Sequence, residues 1–123
     1  PRAGARAWGG LIGHIADGTV GAGLGPGGVP RSASLGTEDA QKSGANRMTK
    51  AALDKALGDS FALCDKASAA VTEANMMERN GSRSKIGTLI YNTSHINEHY
   101  GNLVTYMRLN NLVPASTAAR GGK

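Results

Sequence analysis

The sequence predicts an all-α protein, a small up-down helical bundle. Three stretches carry apolar residues at three- and four-residue spacing, and two polar or glycine-rich linkers separate them. Cap and stop residues stand where such helices would begin and end, Thr49 before the second stretch and Pro114 beyond the third. A length of 123 residues suits a single domain, residues 1–123, around one core.

The first helix is expected from about Ala5 to Asp17. Trp8, Leu11, Ile12 and Ile15 share one face by i, i+3, i+4, i+7 spacing. Gly9, Gly10 and Gly13 weaken it by up to about 1 kcal/mol each relative to alanine, so it must rely on packing. Gly18 reads as its stop signal. From Gly18 to about Arg47 the chain reads as a flexible, glycine-rich linker. Gly23, Gly25 and Gly28 formally satisfy G-x-G-x-x-G, but a helix precedes them and Pro26 and Pro30 break up the stretch beyond. A phosphate-cradling loop needs a strand before it and a helix directly after it, so nucleotide binding is not expected here.

The second helix is expected over Lys50 to Ala74, with Leu53, Leu57, Phe61, Cys64, Ala67, Ser68 and Val71 as its buried stripe. Cys64 lies within that stripe and reads as a small buried hydrophobe rather than a nucleophile. A polar turn over Asn80–Ser84 leads into the third helix, from Lys85 to Asn110. Its apolar stripe is Ile86, Leu89, Ile90, Ile96, Tyr100, Leu103, Val104 and Met107.

Composition narrows the function classes. The formal charge is +5, from 14 basic and 9 acidic residues, but the basic residues are scattered and only 4% of the chain is aromatic. A nucleic-acid binder concentrates its charge in a stripe interleaved with stacking residues, so no nucleic-acid partner is expected. No apolar run approaches the roughly 18 residues of a spanning helix, and no signal peptide is visible. With a single cysteine no internal disulfide can form, and a cytoplasmic protein is expected.

The histidines carry the chemistry. His95 and His99 are four residues apart on the third helix, which puts both imidazoles on one face, one turn apart. By helical wheel they flank the apolar stripe, and His14, the third histidine of the chain, likewise borders the stripe of the first helix. If those edges meet, three imidazoles converge on one divalent metal and leave a coordination position open. His95-Ile96-Asn97-Glu98-His99 also matches H-x-x-E-H, the inverted zinc-peptidase signature. That mechanism needs a carboxylate ligand far downstream, and no Asp or Glu comes after His99. Glu98 is instead a candidate proton acceptor at the rim of the site. Asp17, Asn92 and Tyr106 are candidate substrate contacts, the last two within one or two turns of the pair on a similar sector.

The third helix, Gly87-Thr88-Leu89-Ile90-Tyr91-Asn92-Thr93-Ser94-His95-Ile96-Asn97-Glu98-His99-Tyr100-Gly101-Asn102-Leu103-Val104-Thr105-Tyr106-Met107-Arg108-Leu109, resembles the last bundle helix of the DinB-like superfamily of damage-inducible and thiol-transferase-related proteins. Leu112-Val113-Pro114-Ala115-Ser116 resembles the segment after that helix, and Leu11-Ile12-Gly13-His14-Ile15-Ala16-Asp17-Gly18 its earlier histidine-bearing helix. Ser60-Phe61-Ala62-Leu63-Cys64-Asp65 is similar to the middle of its third helix. The resemblance implies a four-helix bundle whose histidine triad, here His14, His95 and His99, holds zinc, nickel or iron. It also implies a fourth helix that would precede Pro1, missing here or supplied elsewhere. The activity implied is that of a metal-dependent hydrolase or thiol S-transferase acting on a small molecule, with a low-molecular-weight thiol as cosubstrate. The alternative is a non-catalytic, metal-stabilised binding or dimerisation module, such as a homodimer that covers the open apolar groove.

Overall fold

The computed structural model describes residues 8–27 and 49–121, with the side chains of 20–27 and of Asn80 left aside. Its elements are α1 (Trp8–Gly27), α2 (Lys50–Ala69), a two-residue hairpin of β1 (Arg79–Asn80) and β2 (Arg83–Ser84), α3 (Lys85–Leu109) and the single turn α4 (Ala115–Ala118). The protein is an all-α bundle, as its periodicity predicts. The expected start of the first helix at Ala5 and the linker stretch 28–47 lie outside the described residues.

Helix boundaries reflect local chemistry. Thr49 is extended (φ −65°, ψ 159°) and its hydroxyl accepts from the Ala52 amide, capping α2. Ser84 caps α3 in the same way, accepting from the Gly87 amide at 3.1 Å. α2 stops at Ala69 rather than at Ala74. The reason is Asn75, whose Oδ1 accepts from the Thr72 amide at 2.8 Å and whose Nδ2 donates to the Ala70 carbonyl at 3.0 Å. An asparagine side chain thus offers the backbone bonds that compete with further helix. The chain then turns through the hairpin at Gly81, whose φ of +67° suits the first position of a two-residue loop. α3 ends in a Schellman motif. Asn111 is left-handed (φ +56°), its amide bonds the Arg108 carbonyl, and the Leu112 amide bonds the Met107 carbonyl.

α1 is the central helix and packs along both α2 and α3. A methyl on Gly9 or Gly13 would touch Leu53, and Ala16 packs with Ala56, so α1 and α2 run parallel. Against α3 the order reverses, with Trp8 beside Tyr106 and Gly18 beside His95, so that pair is antiparallel. The sequence anticipates the bundle but not this parallel pair.

Two boundaries and two faces differ from expectation. Besides the early end of α2, α1 does not stop at Gly18 but continues to Gly27, through part of the expected linker. Over 8–19, burial of Leu11, Ile15, Ala16 and Thr19 offsets the helix cost of Gly9, Gly10, Gly13 and Gly18. The buried line of α2 is Ala56, Ser60 and Ala67, while Phe61 and Ser68 of the expected stripe are exposed. Small residues let α1 and α2 approach closely, and the Ser60 hydroxyl is satisfied by the Leu57 carbonyl at 2.8 Å. On α3 the buried centre is Asn92 and His99, with Ile90 and Tyr100 turned outward. The interior is therefore partly polar, with Leu11, Ile15 and three alanines beside Asp17, Thr19, Ser60, Asn92 and His99.

Candidate metal centre

Three histidines meet where α1 crosses α3. His14 comes from the middle of α1, and His95 and His99 come from successive turns of α3. The Nε2 atoms of His14 and His95 are 3.1 Å apart, and those of His95 and His99 are 3.0 Å apart. Ring centroids lie 4.4–5.0 Å from one another at interplanar angles of 72–89°, so the rings form a three-bladed propeller about a common point. His99 is buried and the other two are half-buried.

Hydrogen bonding alone does not account for this arrangement. A neutral imidazole nitrogen has either one N–H or one in-plane lone pair. His95 Nε2 therefore cannot be a good partner for two ring nitrogens at once, although two stand at contact distance. Three lone pairs aimed at a shared cation resolve the conflict. Nitrogens bound to one tetrahedral ion at about 2.0–2.1 Å stand roughly 3.3–3.4 Å apart, within a few tenths of the separations here. The donor set is three imidazoles, which suits zinc, nickel, iron and copper alike. The three histidines can hold a metal ion.

The site exists because α1 carries no side chain at position 18. A Cβ on Gly18 would lie 2.6 Å from His95 Cε1 and 2.9 Å from its Nδ1. Gly18 stands one turn beyond His14 and so on the same face, leaving the slot into which the His95 ring fits. The expected helix stop is thus a packing glycine, and its i, i+4 spacing from His14 is the sequence signal for that role.

The remaining candidate residues take varied positions. Asp17 is buried one turn past His14. Asn92, one turn before His95, is 3% exposed; its Nδ2 donates to the Cys64 Sγ at 3.4 Å, while its buried Oδ1 has no hydrogen-bond partner among the described residues. Cys64 is half-buried rather than fully enclosed. Tyr106 is half-buried and meets the Trp8 ring edge-on at 6.5 Å. Glu98 is exposed, and among the described residues it makes no hydrogen bond or ion pair. The structure does not draw it to the histidines.

Two neighbours of the site escape a reading of the sequence. Tyr91, one turn before His95, stacks on the His95 ring at 6.1 Å and 14°, and the Arg83 guanidinium lies 4.1 Å above the Tyr91 ring. The i, i+4 spacing of Tyr91 and His95 is a legible signal; the approach of Arg83 from the hairpin is not.

Among the described residues no helix is long and apolar enough to cross a membrane. In comparisons with known proteins, no family model, no curated protein and no solved structure matches this chain.

Proposed function

We propose that this chain is a small metal-dependent enzyme of the DinB-like type, a hydrolase or a thiol S-transferase acting on a small molecule. The observation that carries the reading is the convergence of three Nε2 atoms, two pairs of them 3.0 and 3.1 Å apart, from two helices. Three protein ligands leave a position open, which is the pattern of catalytic rather than structural zinc. When bound there, zinc, nickel or iron supplies Lewis acidity that acidifies water or a thiol. The chain's own part is to hold three imidazole rings at 72–89° to one another, with His99 buried and His14 and His95 half-buried. Asn92 supports a substrate-contact role, because its buried Oδ1 can accept a hydrogen bond from a bound small molecule.

A second reading is favoured by the outer face of α3, where Ile90 and Tyr100 are 60% and 40% exposed. Such a face suits a partner helix or a second copy, and the metal would then serve stability alone. Turnover separates the two. Zinc-loaded protein should hydrolyse an activated ester or transfer a thiol to an electrophile, at a rate abolished by His95→Ala. Stoichiometric metal without any turnover, in a protein that unfolds when stripped, supports the binding module instead.

A further inference from the structure

Outside the histidine cluster, the interaction that reaches it from the hairpin is a stack of three side chains. Tyr91 lies parallel to the His95 ring, and Arg83 lies over Tyr91. Arg83 and Tyr91 are both solvent-exposed, so this stack forms the rim of the site rather than part of its interior. The other cations of the hairpin are engaged. Arg79 donates to the Ser82 carbonyl, and Lys85 pairs with Glu78 at 2.7 Å. The Arg83 side chain makes no hydrogen bond or ion pair among the described residues, so its five N–H donors remain available to a ligand. Glu98, two turns beyond Tyr91 on the same side of α3, does not pair with it.

We infer that Arg83, seated on Tyr91, reads a carboxylate on the substrate while the substrate's reacting end faces the three histidines. The inference rests on the proposed metal-centred function. From the two ring distances, the guanidinium carbon lies within about 10 Å of the His95 ring centre. That span suits a carboxylate several bonds from the reacting atom. A planar guanidinium matches the two oxygens of a carboxylate in a paired bond. One uncompensated cation also balances one carboxylate charge, whereas a doubly charged phosphate would call for a second free cation beside it. The aromatic shelf limits the orientations open to the guanidinium, so less freedom is lost when the anion binds.

The test uses cobalt(II)-loaded protein and two probes of matched length, 6-mercaptohexanoate and 6-mercaptohexanol, with binding read from the thiolate-to-cobalt absorption. Wild-type protein should bind the acid about fivefold more tightly than the alcohol, a preference on the scale of one partly exposed ion pair. Arg83→Gln should bring the two affinities together, and Arg83→Lys should restore part of the difference. About 0.5 M salt should erase the wild-type preference by screening, a readout that needs no variant to fold. Equal affinities in the wild type, or a preference that survives in folded Arg83→Gln, overturn the inference while leaving the metal site standing. A wild-type protein that gives no cobalt spectrum at all overturns both.

Discussion

Gly18 and His95 are a matched pair: the histidine ring occupies the space that a side chain at position 18 would take. An ideal Cβ there lies 2.6 Å from His95 Cε1, far inside normal contact. The residue is helical, so alanine meets no backbone strain, and in a helix interior alanine is favoured by about 0.8–1.0 kcal/mol. Gly18→Ala should therefore leave the helix content of the metal-free protein unchanged while pushing His95 out of register. Displacement of one ligand by such crowding costs about 1–3 kcal/mol, or roughly 5- to 150-fold in metal affinity. Circular dichroism and a competitive zinc titration together check both halves.

Ala16 and Ala67 are among the most deeply buried residues, at 1% and 0% exposure. Ala16→Leu adds three carbons where α1 meets Ala56, and should destabilise the fold by about 1–3 kcal/mol. Phe61→Ala, on the exposed side of α2, should cost less than Ala16→Leu and well below the roughly 3–5 kcal/mol typical of a fully buried phenylalanine. Urea denaturation of the two variants checks the order. The reverse order would restore the stripe centred on Phe61.

The α2 stripe shows where hydropathy misleads. Its bulky residues define the expected face, but helices that approach closely do so along small ones, and Ala56, Ser60 and Ala67 carry little hydropathy signal. The same holds on α3, where the buried centre is Asn92 and His99 and the bulky Ile90 faces solvent. Short-range spacing is what the sequence makes legible. The His95–His99 pair, the Thr49 cap and the end of α3 before Pro114 all rest on neighbours within a few residues. Gly18 is ambiguous because one residue type serves two purposes, ending a helix and admitting a close neighbour. The parallel packing of α1 and α2 is a long-range relation with no local signature.

The caps offer a cleaner measurement, since each rests on a single bond. Thr49→Ala removes the acceptor for the Ala52 amide, and Ser84→Ala removes that for Gly87. Each should lower stability by about 1 kcal/mol. Because these sites sit at helix ends away from the triad, metal affinity should change by less than about twofold. A larger loss of metal with Ser84→Ala would show that the start of α3 and the triad are coupled.

Acid should release the metal. Coordination requires unprotonated imidazole, so each ligand that gains a proton removes one bond to the ion. Apparent affinity should fall as the pH is lowered from neutrality into the acid range, with protons taken up as metal leaves. Titration in two buffers of different ionisation enthalpy counts those protons. A flat profile over that range would be inconsistent with histidine ligands.

Metal content of untagged protein, wild type against His14→Ala, probes the meeting of α1 and α3 most directly. His14 is the one ligand donated by α1, whereas His95 and His99 could pair on α3 without it. One equivalent of bound zinc in the wild type, lost in His14→Ala as completely as in His95→Ala and His99→Ala, is the expected result. Full retention of zinc in the His14 variant would mean that the two helices do not share an ion.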